Sequence, residues 1–451
     1  MRKGTGFAIM LCVMFLVLVA GKSAFASGFA IIEQSVSGLG NAYAGGAGAE
    51  DASTIFFNPA GLTKLPGYQA ILGAHVIIPS AKFENEGSTH LLQPRTGVPL
   101  LGGGGGDGGE TRIVPNFYVS GQVAKDLYLG LGVSAPFGLA TEYDSSWVGR
   151  YHAVKSELLT VNINPSIAYR INQHISIGGG VSFEYAEAEL SNAIDFGTLD
   201  AIGALGLPPG ALGLTPQRAD GFVKLKGDDW DVGFNLGLLV EFTPDTRAGI
   251  AYRSQIHHGL SGTADFSNVP AGLAPVPVFR DTDVKAKLTT PDTVSLNFFH
   301  QFNPQWKVMA DITWTNWSVF NELRIRFDNP RQPDSVVTTE WDDSFRYSLG
   351  VTYMPTPAWT LRGGIAYDET PVPDAQRRTP RIPDEDRFWL AFGVGYKISK
   401  MFSVDLGYVY IFVDDPKIDK SPVGEDAVRG GLKGTYDANV NIFSAQVVLH
   451  F

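Results

Sequence analysis

The chain has 451 residues, with 35 Lys and Arg against 46 Asp and Glu, eight His, one Cys, 52 Gly and 12% aromatic residues. A formal net charge of −11 excludes the basic surface that nucleic acid requires. Beyond residue 26 no run of 18 or more apolar residues occurs, which excludes a helical membrane bundle and leaves a closed barrel as the only way to cross a bilayer.

Arg2 and Lys3 precede an apolar stretch from Phe7 to Ala20, and Ala24-Phe25-Ala26 offers an A-x-A cleavage site. This predicts a secretory signal peptide over residues 1–26. Its removal takes away Arg2, Lys3 and Lys22 and moves the net charge from −11 to −14. Cys12 leaves with it, so the exported chain is expected to carry no disulfide, no thiol nucleophile, no cysteine metal ligand and no lipoprotein anchor.

After a stretch over 27–67 that is rich in Gly and Ala and lacks sustained alternation, a period of two sets in. Leu159, Val161, Ile163, Pro165, Ile167, Tyr169 and Ile171 alternate with Thr160, Asn162, Asn164, Ser166, Ala168 and Arg170, so one face is apolar throughout. Such runs predict strands at 69–83, 112–124, 127–137, 157–171, 174–190, 229–242, 246–260, 284–302, 305–322, 344–354, 358–369, 386–398, 401–413 and 438–451. Soluble sandwich strands average about five or six residues, whereas many of these have the length of a tilted bilayer-spanning strand. Their connectors alternate. Lys125-Asp126, Asn172-Gln173, Thr243-Pro244-Asp245, Asn303-Pro304, Pro355-Thr356-Pro357 and Ser399-Lys400 are tight and the others long, as short periplasmic turns and long external loops require. The last run ends on Phe451, an aromatic terminus typical of outer-membrane barrels. The expectation is an all-β, fourteen-stranded antiparallel transmembrane barrel in the outer membrane of a Gram-negative bacterium.

The segment Ser27-Gly28-Phe29-Ala30-Ile31-Ile32-Glu33-Gln34-Ser35-Val36-Ser37-Gly38-Leu39-Gly40-Asn41-Ala42-Tyr43-Ala44-Gly45, followed by Glu50-Asp51-Ala52-Ser53 and Asn58-Pro59-Ala60-Gly61, resembles the outer-membrane long-chain fatty acid transporter family, which includes aromatic-hydrocarbon uptake channels. The resemblance continues at Gly138-Leu139-Ala140-Thr141-Glu142, Ala251-Tyr252-Arg253-Ser254, Thr315-Asn316-Trp317-Ser318 and Ile382-Pro383-Asp384 with Asp386-Arg387-Phe388-Trp389-Leu390. It implies an amino-terminal hatch over 27–67 plugging a barrel over 68–451. Small residues suit packing into a lumen, and Asn58-Pro59 is a turn dipeptide whose Asn is driven to extended backbone. Within this pattern Asn58, Pro59 and Ala60 mark the hatch, and Gly28, Phe29 and Ile31 map onto the segment that would occupy or vacate the ligand pocket.

Residues 191–228 and 261–283 are external loops by this reading, yet unusually apolar. Phe196, Leu199, Leu205, Phe266, Leu273 and Phe279 are candidates for a capture surface, and the resemblance places a hydrophobic groove at these two loops. If Lys125-Asp126 is a two-residue turn, Ala124 faces Leu127 and Pro115 falls opposite Pro136. Both lack a donor, and Phe137-Gly138 follows where the resemblance implies a kinked third strand, so these four residues are the expected lateral opening. By alternation Arg170, Arg253, Arg346, Arg362 and Arg387 face the lumen as candidate carboxylate contacts, most of them paired with acids such as Asp311 and Asp405. The stretch Glu187-Ala188-Glu189-Leu190-Ser191-Asn192 supplies no cation for a fatty-acid headgroup, which favours an uncharged hydrocarbon.

Gly102 to Gly106 with Asp107-Gly108-Gly109-Glu110 lacks the Lys-Ser/Thr of a phosphate loop and the pattern of a calcium repeat, and reads as a flexible external loop. No HExxH and no G-x-S-x-G occurs, so neither a metal nor hydrolysis is assigned. The expected function is a passive, cofactor-free, monomeric uptake channel for long-chain fatty acids or similar hydrophobic molecules, with outer-membrane lipid as its surroundings. Alternatives are aromatic-hydrocarbon uptake and, from another class, an outer-membrane lipid hydrolase or adhesin.

Overall fold

The computed structural model describes residues 28–451; the expected signal peptide, its cleavage site and Cys12 lie outside the described residues. Alternation of apolar and small or polar residues folds the chain into twenty strand segments, six of which continue a strand across a break, giving fourteen staves. In chain order these are β1 (Tyr68–Asn85), β2 (Arg112–Ala124), β3 (Leu127–Ser134 and Gly138–Glu142), β4 (Lys155–Arg170), β5 (Ile175–Asp195), β6 (Asp220–Thr243) and β7 (Thr246–Arg253 and Ile256–Ser267). They continue with β8 (Thr282–Thr290 and Thr293–Asn303), β9 (Trp306–Thr315 and Glu322–Phe327), β10 (Ser335–Thr338 and Ser344–Tyr353), β11 (Trp359–Asp368), β12 (Arg387–Lys397), β13 (Phe402–Val413 and Lys417–Asp419) and β14 (Lys433–His450). Each pairs antiparallel with its sequence neighbour, and β14 closes on β1 from Gln69↔His450 to Asn85↔Gly434. Closure leaves no sheet edge for the hydrocarbon to solvate.

The barrel is polar inside and apolar outside. Leu72, Leu129, Ile167, Val181, Leu236, Leu296, Phe392 and Leu406 are exposed, whereas His75, Asn116, Asn164, Asn235, Asn297, Thr352 and Gln446 are buried. Only a lipid-facing sheet alternates in this sense. At the short-turn end Tyr68–Phe451 (6.1 Å), Trp306–Tyr353 (4.4 Å) and Trp359–Tyr396 (4.6 Å) form part of an aromatic girdle. No described helix is long and apolar enough to cross a membrane.

Several expected boundaries are corrected. β5 runs on to Asp195 and β6 begins at Asp220, so the first apolar loop shortens to 196–219; β7 ends at Ser267 and β8 begins at Thr282, so the second becomes 268–281. The added length of β6 carries Lys224 and Lys226, which pair with Glu189 and Glu187 of β5 (both 3.0 Å), and such charged side chains hide a strand from an apolar period. Conversely, the expected continuous strands at 246–260 and 284–302 are interrupted, the latter at Pro291, which lacks a donor. The glycine run is packed rather than loose: Gly103 bridges Trp147, and a Cβ on Gly102 would lie 2.4 Å from the Val148 nitrogen.

Residues 28–67 run through the interior. Ser35 caps a short helix, α1 (Val36–Leu39), by accepting from the Gly38 amide; α2 (Thr54–Phe57) and a 3₁₀ turn (Pro59–Lys64) follow. The segment touches the wall where the wall has no side chain: a Cβ on Gly364 would lie 2.3 Å from Asn41 C, and one on Gly178 would lie 2.5 Å from Ala60 N. Leu39 and Ala42 pack with Ile77, Trp389 and Val409 of the wall.

Candidate functional site

The third stave is broken between Ser134 and Gly138. Its pairing with β2 stops at Phe117↔Val133, and a bulge between Gln122 and Ala124 shifts the register by one from that expected. Pro115 therefore does not face Pro136; it pairs with Ala74 of β1. One extra residue beside the tight turn moved the whole hairpin, which simple turn arithmetic could not detect.

Backbone groups freed by the break find partners elsewhere. The Gln34 side chain donates to the Ala135 carbonyl (2.7 Å) and accepts from the Ala135 amide (3.3 Å). The Ile31 amide donates to the Pro136 carbonyl (2.8 Å), and the Gly138 amide donates to the Phe29 carbonyl (2.8 Å). Thr160 of β4 serves Phe137, its hydroxyl accepting from the amide (2.9 Å) and donating to the carbonyl (2.7 Å). Residues 29–31 thus take the hydrogen-bonding place of a missing strand. Phe29 anchors them among Trp317 (4.6 Å), Phe320 (5.3 Å), Trp341 (5.8 Å) and Phe137 (6.0 Å). Gly28 sits at φ 59°, where a Cβ would meet the Trp341 ring at 2.7 Å, and its amide donates to Asp384 (2.9 Å).

Gly28, Phe29, Ile31, Pro136, Phe137 and Gly138 are therefore brought together. Gln34 and Thr160 were not anticipated: Gln34 works on a residue 101 positions away, and neither carries a local signal. Asn58 is extended (φ −157°, ψ 100°), accepts from the Ala60 amide (3.2 Å) and donates to the Leu238 carbonyl of β6 (3.2 Å). Asn58, Pro59 and Ala60 thus anchor the segment to the wall at β6, with Pro59 also lining the cavity described next.

Beside the break lies a cavity of about 130 Å³, walled by Ile31, Ile32, Phe56, Phe57, Pro136 and Phe137, with Arg253, Arg346 and Asp368 as its charged lining. A larger cavity, about 1060 Å³, opens among the outer loops. Leu199, Leu205, Phe266 and Phe279 line it, with Arg331 and Arg429 among its polar residues. Phe196 and Leu273 pack behind that lining, Phe196 lying 5.0 Å from Phe279.

The five arginines turn inward and mostly hold the amino-terminal segment. Arg170 donates to the Thr63 carbonyl, Arg253 to that of Phe56 (3.0 Å) and Arg346 to that of Ala42 (2.9 Å). Arg362 bridges Asp405 (2.7 Å) and Glu50 (3.2 Å), and Arg387 pairs with Asp384. Burial opposes the Glu50 charge, but Lys307 and Arg362 together hold its carboxyl well below the usual range. Asp311, expected to pair with an arginine, instead accepts from the Gly46 amide and from Asn297 (both 2.9 Å). The cation absent from the 187–192 stretch comes from a distant loop: Arg381 donates to Asn192 (3.3 Å) and Ser156 (2.9 Å), and makes no ion pair among the described residues. That removes the argument for an uncharged ligand. No group of three or more His, Cys, Asp or Glu placed to hold a metal occurs among the described residues.

A closed fourteen-stave barrel, apolar outside and threaded by its own amino-terminal segment, defines an outer-membrane transport protein. A family profile described as outer membrane protein transport protein (OMPP1/FadL/TodX) matches residues 17–451, and the chain belongs to that family. It is 32% identical to the long-chain fatty acid transport protein of Escherichia coli K12, over 90% of this chain and 92% of that one. A crystal structure of a Pseudomonas aeruginosa FadL homologue superposes with a TM-score of 0.84 at 25% identity, covering 94% of this chain and all of the other. The Pseudomonas putida toluene transporter TodX shares the fold at a TM-score of 0.65 and 20% identity, over 89% and 94% of the two chains.

Proposed function

We propose that the protein takes up long-chain fatty acids as a passive, cofactor-free, monomeric channel. The acid is captured in the outer-loop cavity, is held beside Arg346, and leaves sideways into the bilayer through the break in β3. The observation that carries this reading is the 130 Å³ cavity itself: its walls are mostly apolar, it contains a guanidinium without an ion pair among the described residues, and it adjoins the break in β3 that residues 29–31 bridge. Each buried methylene contributes about 0.8 kcal/mol, so ten hold an acyl chain by about 8 kcal/mol, and release needs a part that moves. Residues 27–67 act as the hatch, and their first few residues are that part. Sideways exit keeps the alkyl chain out of periplasmic water, and no bond-making step is involved.

The relatives named as long-chain fatty acid transport proteins support a carboxylate ligand, as does Arg381 beside Asn192. Arg346→Met tests the choice. Dodecanoate binding is expected to weaken roughly tenfold or more, the scale of one charge-assisted contact, while methyl dodecanoate binding stays within a factor of two. Equal effects on both ligands would overturn the carboxylate assignment, and toluene bound as tightly as dodecanoate would carry the hydrocarbon reading instead.

A further inference from the structure

Glu33 stands two residues beyond Ile31, at the edge of the exit. Its side chain is fully buried, and beyond its own backbone amide neither carboxylate oxygen has a hydrogen-bond partner among the described residues. Charged and titratable groups face it from each element packed around it: Arg346 of β10, Asp368 of β11, Arg387 of β12 with its partner Asp384, and Tyr43 of the hatch. Arg346 spends one nitrogen on the Ala42 carbonyl and leaves its Nε buried without a partner, while Arg346 and Asp368 both line the inner cavity. With every group ionised, and with Arg253 counted because it lines the same cavity, three guanidinium groups confront three carboxylates. A ligand carboxylate would add a fourth, left without a counter-charge among mostly apolar walls.

Neutralising one internal acid removes the conflict. Glu33 is the acid without a cation of its own: Asp384 is held by Arg387 and by the Gly28 amide, and Asp368 lies opposite Arg346 in the β10–β11 ladder. Burial already pushes the Glu33 carboxyl up to about 7. We propose that binding of an anionic ligand beside Arg346 is coupled to protonation of Glu33, so that the inner site takes up the anion together with one proton. The proposal rests on the reading that Arg346 receives the ligand's acid group. Inner-site binding strengthens as pH falls, and the proton arrives one residue from Gln34, which clamps Ala135 at the exit.

Dodecane sulfonate is the probe, since its own charge does not titrate. Calorimetry at about pH 8, in buffers of different ionisation enthalpy, is expected to show close to one proton taken up per ligand bound by the wild-type protein. Glu33→Gln should take up none and bind with a Kd that no longer changes with pH, while Glu187→Gln, in the outer ion pairs of β5, keeps the uptake. No uptake by the wild type, undiminished uptake by Glu33→Gln, or loss of uptake in Glu187→Gln overturns the role of Glu33. Binding of methyl dodecanoate without any binding of the sulfonate overturns instead the anion-site reading beneath it.

Discussion

Thr160 and Gln34 each offer one side chain to a residue that has lost its strand partner, and both sites can be probed singly. Thr160→Val keeps the shape and removes both bonds to Phe137, leaving its buried amide unmet at a cost of about 1–3 kcal/mol. Exchange of the Phe137 amide should accelerate roughly tenfold to a hundredfold, with the melting of the barrel little changed; unaltered exchange would mean that the hydroxyl is incidental. The two hatch glutamates should respond to pH with opposite signs. Glu33 has a folded-state value raised above 4.5, to about 7, so its burial costs stability progressively as pH rises through that interval and fully above it. Glu33→Gln should therefore stabilise the hatch against proteolysis by an amount of the order of 3 kcal/mol at about pH 8, and by almost nothing below about pH 4.5. Glu50 is held below its ordinary value by Lys307 and Arg362, so its contribution is present above 4.5 and lost as pH falls toward its folded value.

At the scale of the element, residues 29–31 and the break in β3 are hydrogen-bonded to each other, and the proposed gating treats them as one device. Deleting Gly28 to Ile32 removes the Ile31 and Phe29 bonds to the break but none of the ladder bonds between staves. The expected result is a folded barrel, with heat-modifiable mobility on gels, in which fatty-acid uptake and equilibrium binding change together. Uptake and binding equal to wild type would show that the tip does not gate. The staves were legible in the sequence because lipid imposes a strict alternation on one face, visible in runs such as Leu159 to Ile171. Above the membrane that constraint lapses, so residues 191–195 of β5 and 220–228 of β6, the latter carrying Lys224 and Lys226, read as loop. Pro136 and Gly138 betrayed the break by their own chemistry. The Pro115 register did not follow, because a bulge carries no composition signal. Gln34, Thr160, Arg381 and the buried Glu33 became meaningful only once the barrel closed around the hatch.

Across the whole molecule, the path proposed for the ligand runs from the outer-loop cavity, through the chamber beside Arg346, to a side door that the chain's own amino terminus closes. That door can be locked without altering the rest of the barrel. Ala30 and Phe137 are paired as an isolated antiparallel bridge, a separation within the range that a disulfide spans. The exported chain is expected to contain no competing cysteine, since Cys12 falls within the expected signal peptide. The decisive measurement is fatty-acid uptake by cells or proteoliposomes carrying Ala30→Cys with Phe137→Cys, assayed oxidised and then reduced. The account requires uptake to fall to background in the oxidised protein, with capture at the outer loops retained, and to return on reduction. Full uptake through a protein shown to be cross-linked would contradict it and place the exit elsewhere.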